Sequence, residues 1–490
     1  MTTFGDEFSL ILRARYPLVY IATQEEERVE YTLRQILKNS DNRALYNWDF
    51  VDGYTSNPNI KGFATKNPLQ ALDLIEKMAV QKPAIFILKD FNKFLTDISV
   101  TRKIKNIIRT LRLQPKTLVI IANEIEIPTE LFNVFTIIEF NLPTPSEIRN
   151  ELDRLFKCLN QEADVRFLET LTRACQGLTL EKIRQTLSKS LARYNSLNQK
   201  TIEVILNEKR QIVAKTQILD FQDVSINLQA IGGLNNLKHW LRIRKQSFSS
   251  KAELYGLPAP RGLLLAGVQG TGKSLTAKAI AGEWQLPLLQ LDAGRLFDGI
   301  VGESERNVRQ MIQLVEALSP CILWIDEIDK AFASNTQRTD SGTTNRVMST
   351  LLTWLSEKQS PVFVVATANN FEALPLEVIR RGRFDEIFFV KLPDLKERKQ
   401  IFSVVLNRYR PATKKLFDIS KLSALANGFS GSEIEQVIIE AMHLAFDENR
   451  EFTEQDILDS LDQMIPLSEI DPERTKEMEE WAKSGRLRIA

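Results

Sequence analysis

Eight residues constrain this chain more than any others. Gly267-Val268-Gln269-Gly270-Thr271-Gly272-Lys273-Ser274 lie between an apolar run, Gly262 to Leu265, and a helical run, Leu275 to Glu283. Glycines at this spacing let backbone amides close around a phosphate, and the positive end of the following helix favours negative charge there. In such a loop the lysine reaches the outer phosphate oxygens and the hydroxyl that follows it is placed to ligate Mg2+, here Lys273 and Ser274. A strand, loop and helix joined this way call for an open parallel sheet with the loop at the carboxyl end of one strand. At 490 residues the chain exceeds what one core usually supports, so two or three domains are expected.

Two further apolar runs, Cys321 to Ile325 and Val362 to Ala366, read as neighbouring buried strands. The first ends in Asp326-Glu327. One carboxylate of such a pair suits a metal ion through its water shell, and the next suits polarising an attacking water. Asp326 is therefore assigned with Ser274 to the metal, and Glu327 to general base. Asn369 closes the second run, where its amide is placed to orient that water. Arg380-Arg381-Gly382-Arg383-Phe384-Asp385 then presents several guanidiniums on a tight turn. Within one chain this is a solvated face; across a subunit contact, Arg380 and Arg383 would stabilise charge on a γ-phosphate.

An earlier series of runs, Leu18 to Ala22, Ala84 to Leu88 and Leu118 to Ala122, repeats the later one. Residues 84–90 parallel 321–327, 118–123 parallel 364–369, 141–147 parallel 391–397, and 176–183 parallel 427–434. The matches keep their order, which predicts tandem copies of one α/β module. After its first strand the earlier copy carries Thr23-Gln24-Glu25-Glu26-Glu27 and no glycine-lysine loop. Carboxylates there repel phosphate, so this copy is expected to lack a nucleotide site and to serve in docking or packing.

Composition removes several other classes. Sixty-four Lys and Arg against 63 Asp and Glu leave a net charge of +1, giving no global field toward nucleic acid or anionic lipid. Lys103, Lys105, Arg109 and Arg112 form a strip at helical spacing that is read as a solvated face, so a nucleic-acid partner is not expected. Three cysteines without a Cys-x-x-Cys pair suggest neither a disulfide framework nor a zinc cage. Neither His239 nor His443 sits in a His-Glu-x-x-His run, so metalloprotease activity is not expected. No run reaches the roughly 20 apolar residues of a membrane span, and a reducing, aqueous compartment is the expected location.

The motifs from residue 230 to about 465 resemble, in family order, the AAA family of ATPases, the branch that includes valosin-containing protein, katanin and the FtsH proteases. Ile231-Gly232-Gly233-Leu234 is similar to the motif that opens the family's ATPase domain, whose backbone clasps adenine. Asn369 matches the family's first sensor, and Arg380 and Arg383 its paired arginine fingers. Gly428 to Ile434 resembles the lid signature near the ribose and adenine, with Ser432-Glu433 where the family commonly has Ala-Asp. The resemblance implies nucleotide contacts from Ile231, Gly232, residues 267–275 including Leu275, Gly431 and Ser432. Gly299 to Glu305 is similar to the first pore loop, with Ile300 where threading members place an aromatic. The chain as a whole resembles AAA proteins called hypothetical chloroplast reading frames, shared by algal plastids and cyanobacteria.

The resemblance implies a P-loop NTPase fold: a parallel α/β sheet with a helical lid, preceded by a degenerate copy of the same module. The expected organisation is a degenerate domain over 1–215, the large ATPase subdomain over 216–395, the lid over 396–466 and a charged tail around Trp481 over 467–490. The implied activity is Mg2+-dependent ATP hydrolysis by a homo-oligomeric ring, a hexamer by family likeness, that remodels a protein client. The competing reading is a nucleotide-gated scaffold with slow turnover. A cyanobacterial cytosol or plastid stroma is the implied compartment.

Overall fold

The computed structural model describes residues 4–40, 43–56, 60–78, 82–215, 218–224, 226–248, 250–292, 303–333, 341–380, 382–412, 416–473, 476–477 and 487–490. The chain divides into two compact units, Met1–Leu197 and Asn198–Ala490.

The first unit is built on six strands: β1 (Leu18–Ala22), β2 (Ala44–Asp49), β3 (Gly53–Tyr54), β4 (Ala84–Lys89), β5 (Lys116–Ala122) and β6 (Thr136–Glu139), in the order β3-β2-β4-β5-β1-β6. All pairings are parallel except the short β2–β3 pair. Successive side chains leave opposite faces of a strand, and both faces here are covered. Leu18, Tyr20, Phe86 and Leu88 enter one core, and Val19, Ile21, Ile85 and Ile87 the other. That two-sided burial explains why the runs read as continuously apolar rather than alternating. Three helices, Pro145–Cys158, Val165–Cys175 and Leu180–Tyr194, follow the sheet.

The second unit carries β7 (Leu219–Gln222), β8 (Gly262–Gly267), β9 (Leu288–Leu291), β10 (Cys321–Ile325), β11 (Val362–Ala368), β12 (Glu386–Val390) and β13 (Arg488–Ile489), in the order β13-β12-β8-β11-β10-β9-β7. Leu264, Ala266, Leu323 and Ile325 face one core; Leu263, Leu265, Ile322 and Trp324 face the other. A lid follows, with its own core around Phe402, Leu406, Leu422, Ile434, Ile438 and Ile457. Its helices start where capping chemistry dictates. Asp394 with Glu397 and Ser430 with Glu433 form reciprocal capping boxes at Leu395–Tyr409 and Gly431–Asp447.

The two sheets share one topology. Setting aside the two-residue edge strand β13 and numbering the remaining five parallel strands of each unit in chain order, both read fifth, first, fourth, third, second across the sheet: β6-β1-β5-β4-β2 and β12-β8-β11-β10-β9. Register agrees as well, since Ala22 pairs with Ala122 as Ala266 pairs with Ala368. The tandem copies expected from sequence are thus two copies of one module. Packing groups helix Gln199–Ala214 with the second unit, its Val213 being buried in that unit's core.

Candidate functional site

The loop between β8 and helix Lys273–Trp284 takes its path from three glycines with positive φ, Gly267 at 143°, Gly270 at 79° and Gly272 at 88°. Only glycine adopts such angles without strain. Space is equally restrictive: a Cβ on Gly267 would sit 2.1 Å from the Val390 carbonyl oxygen. Gly267→Ala is therefore expected to cost at least about 2 kcal/mol from strain and overpacking, read as a lowered denaturation midpoint.

Lys273 is 6% exposed, and its Nζ donates to the carbonyls of Gly267 (2.8 Å) and Val268 (2.7 Å). Burial pushes the ammonium down to about 8, opposed by the charges of Asp329, Asp326 and Glu327. Its chemistry is that of a desolvated cation still short of full compensation by anions.

The carboxylates are delivered by β10. Asp326 accepts from the Ser274 hydroxyl (3.1 Å) and from the Thr367 hydroxyl (2.5 Å). Glu327 sits at φ 49°, a left-handed conformation uncommon for a side chain of its size, and its N–H is held by Thr367 Oγ1 at 2.9 Å. That twist turns its carboxylate toward β11, where Asn369 Nδ2 donates to Oε1 at 2.8 Å. Lys330 pairs with Oε2 at 2.5 Å. Asp329, 6% exposed, receives the N–H groups of Asn369 (3.3 Å) and Asn370 (2.9 Å) and so fixes the turn that carries the amide.

A cavity of about 360 Å³ runs from these groups to the lid, within the range of small-molecule sites. Residues 269–275, Asp326, Glu327 and Asn369 line it. Ile231, Gly232, Ile401 and Val405 also line it, with Gly431 and Ser432. Gly232 approaches Ile401 so closely that a Cβ would lie 2.6 Å from its side chain. The lid touches the loop directly, Ser432 N–H donating to the Gly270 carbonyl at 3.0 Å. Gly267 and Val268 lie outside the lining and contribute the carbonyls that hold Lys273. Arg380 is exposed, Arg383 half-buried, and neither lines the cavity of its own chain.

Sequence reasoning missed four residues that the geometry brings in. Thr367 and Asp329 brace the acidic pair, and the only signals for them are a hydroxyl inside an apolar run and a third acid after the strand. Arg408 and Glu435 line the lid side, paired at 2.7 Å; helical periodicity alone gives no signal for them. The pore-loop residues 299–302 and Trp481 lie outside the described residues. Two members of the basic strip are engaged by acids, Lys103 by Asp73 and Glu76 and Lys105 by Glu130. Among the described residues no group of three or more His, Cys, Asp or Glu is arranged to hold a metal. One carboxylate beside one hydroxyl, Asp326 and Ser274, is the sparse oxygen set that suits Mg2+, which keeps most of its waters.

Comparison with known proteins agrees with this geometry. Residues 263–392 match the AAA family, ATPases associated with various cellular activities, and 417–460 match the AAA+ lid domain. Residues 4–140 and 146–216 match the N-terminal and second domains of SpoVK-like AAA ATPases. The chain belongs to the AAA ATPase family. More particularly, it is 58% identical over 487 residues to the uncharacterised AAA domain-containing protein ycf46 of Trieres chinensis, covering 99% of this chain and 98% of that relative. The ycf46 protein of Guillardia theta is 54% identical over 488 residues, covering 100% of this chain and 96% of the relative. A proteasome-activating nucleotidase of Saccharolobus islandicus is 32% identical over 279 residues, 54% of this chain and 70% of that protein.

Proposed function

We propose that this protein binds ATP with Mg2+ in the second unit, hydrolyses it, and couples the cycle to remodelling of a protein client by a homo-oligomeric ring. The observation that carries the reading is that Lys273, Ser274, Asp326, Glu327 and Asn369 line one cavity together with the apolar Ile231, Ile401, Val404 and Val405. The amides of 269–274 and Lys273 bind the phosphates, and Ile231, Gly232 and Ile401 exclude water from the base. Ser274 and Asp326 would hold Mg2+, which when bound neutralises charge on the phosphate oxygens. Glu327 takes the proton of the attacking water, with its carboxylate oriented by Asn369. Because Arg380 and Arg383 stand outside their own cavity, they are assigned to the γ-phosphate of a neighbouring subunit. Kinship with the ycf46 proteins of algae supports a plastid stroma or cyanobacterial cytosol as the compartment. The test is Lys273→Ala, which should abolish retention of ATP by the full-length protein; retention at wild-type affinity contradicts the assignment.

One observation favours slow turnover. Both oxygens of Glu327 are engaged, Oε1 by Asn369 and Oε2 by Lys330. A base held this way is less free to take a proton, so a nucleotide-gated scaffold is the second reading. The number of phosphates released per chain per minute separates the two.

The Lys273 ammonium also sets a pH dependence. Phosphate binding requires its charged form, and burial lowers its affinity for the proton, to about 8. ATP affinity should therefore be flat below pH 8. It should fall by up to about tenfold per unit above it, because binding must then take up a proton. Fluorescent nucleotide titrations between pH 7 and 9.5 check this, and affinity that rises with pH contradicts it.

A further inference from the structure

The first unit has the strand order of the nucleotide-binding module, yet fills the corresponding place with its own charges. From Ala22 its helix begins four positions on, at Glu26; from the equivalent Ala266 it begins seven positions on, at Lys273. The phosphate loop is thus shortened by three residues, and a glutamate opens the helix where the second unit has the lysine. The ends of the third strands are exchanged in the opposite sense. Residues 84–90 parallel 321–327, so Lys89 stands where Asp326 does, and the next residues, Asp90 and Glu327, share the left-handed conformation at φ 50° and 49°. Lys89 is clasped by Glu26 and Glu30. Burial works against that charge, and the hydrogen bonds to the two carboxylates outweigh it, holding the ammonium above its usual range.

Glu25, 6% exposed, makes the second substitution. In the lid of the second unit, Ser430 caps the helix and Gly431 lines the cavity. In the first unit, Thr179 caps the matching helix and Leu180 follows, its N–H donating to Glu25 Oε1 at 2.7 Å. The other oxygen of Glu25 is paired with Arg28. Arg28 also grips both oxygens of Glu147 (3.0 and 2.9 Å) and the Asn141 carbonyl (2.8 Å), and lies over the Phe140 ring at 4.5 Å. Burial alone would raise the Glu147 carboxyl; the Thr144 amide and the Arg28 guanidinium prevail and hold it below its usual range.

We infer that the first unit is closed by an internal carboxylate and arginine, Glu25 and Arg28, which join its sheet to its helical part where the second unit keeps a nucleotide cavity. The geometry gives each partner a counterpart: the carboxylate takes the helix N-terminus that an anion would take, and the guanidinium spans the turn after β1, the segment after β6 and helix Pro145–Cys158. Such a closure does not respond to nucleotide. The first unit then keeps a constant shape through the nucleotide cycle proposed for the second.

Hydrogen exchange of the full-length protein tests this. Leu180 opens its helix, where an amide has no intrahelical acceptor, so its protection rests on Glu25. In wild type, peptides covering 23–28, 141–147 and 177–183 should exchange identically with and without MgADP. Arg28→Ala should speed exchange over 141–147 and 177–183 by about ten- to a hundredfold, the worth of a charge-assisted hydrogen bond. Glu25→Gln keeps an acceptor and loses the charge, so it should give a smaller increase over 177–183, and its milder change guards against misfolding of the first variant. Slowed exchange in these peptides on adding MgADP, or unchanged exchange in both variants, overturns the closure. Peptides over 267–275 and 430–437 report separately on nucleotide binding by the second unit, so failure there bears on the proposed activity and not on this inference.

Discussion

Glu327→Gln is expected to retain ATP while turnover falls by roughly 10² to 10⁴, the usual worth of a positioned general base. The amide keeps the volume and can still meet Asn369, which donates to Oε1 at 2.8 Å in the wild type, but it cannot take a proton. Its neighbour Asp326 has a different role, since it is held by the hydroxyls of Ser274 and Thr367 beside the phosphate loop. Asp326→Asn should therefore weaken the Mg2+ dependence as well as turnover. Measuring ATP affinity and phosphate release on both variants separates the roles. Equal loss of binding in both would merge them into one electrostatic patch.

Arg380→Ala carries the other large effect. An arginine that reaches a γ-phosphate from a neighbouring subunit contributes on the order of 10³ to 10⁵ in rate. The variant should bind ATP normally and lose turnover by that order, and the loss should appear only at concentrations where wild type is assembled. Mixing experiments sharpen the test: Arg380→Ala chains lack the finger and Lys273→Ala chains lack the site, so co-assembly should restore part of the activity that neither has alone. Full specific activity of Arg380→Ala at every concentration would make Arg380 a surface residue. Light scattering with ATP and Mg2+ on the Glu327→Gln form reports the assembly itself.

Much of this was legible in the sequence because the chemistry is local. A phosphate loop requires glycines, lysine and a hydroxyl within one short segment, and residues 269–275 all line the cavity. The acidic pair was legible because a phosphate loop lies upstream of it; alone, charge at the end of a buried strand is a solvated strand end. The duplication was legible for a similar reason: strand ends and helix caps recur, and Thr179 and Ser430 perform the same capping. What stayed hidden depends on contacts distant in sequence. Thr367 acts on Asp326 and Glu327 from the next strand, and Arg408 with Glu435 joins two lid helices. The three glutamates after β1 were read as repelling phosphate. That two of them, Glu25 and Glu26, are paired within the first unit with Arg28 and Lys89 follows only from the fold. The extent of helix Gln199–Ala214 within the second unit also rests on tertiary packing, through Val213.

The central claim is that a nucleoside triphosphate is held by residues 267–275 and cleaved beside Asp326 and Glu327. Its most direct test is a single experiment on the full-length protein: equilibrium retention of labelled ATP with Mg2+, followed by release of labelled phosphate, in wild type, Lys273→Ala and Glu327→Gln. The account predicts retention and release in wild type, neither in Lys273→Ala, and retention without release in Glu327→Gln. Wild-type protein that retains no ATP, or Glu327→Gln protein that releases phosphate at the wild-type rate, would contradict it.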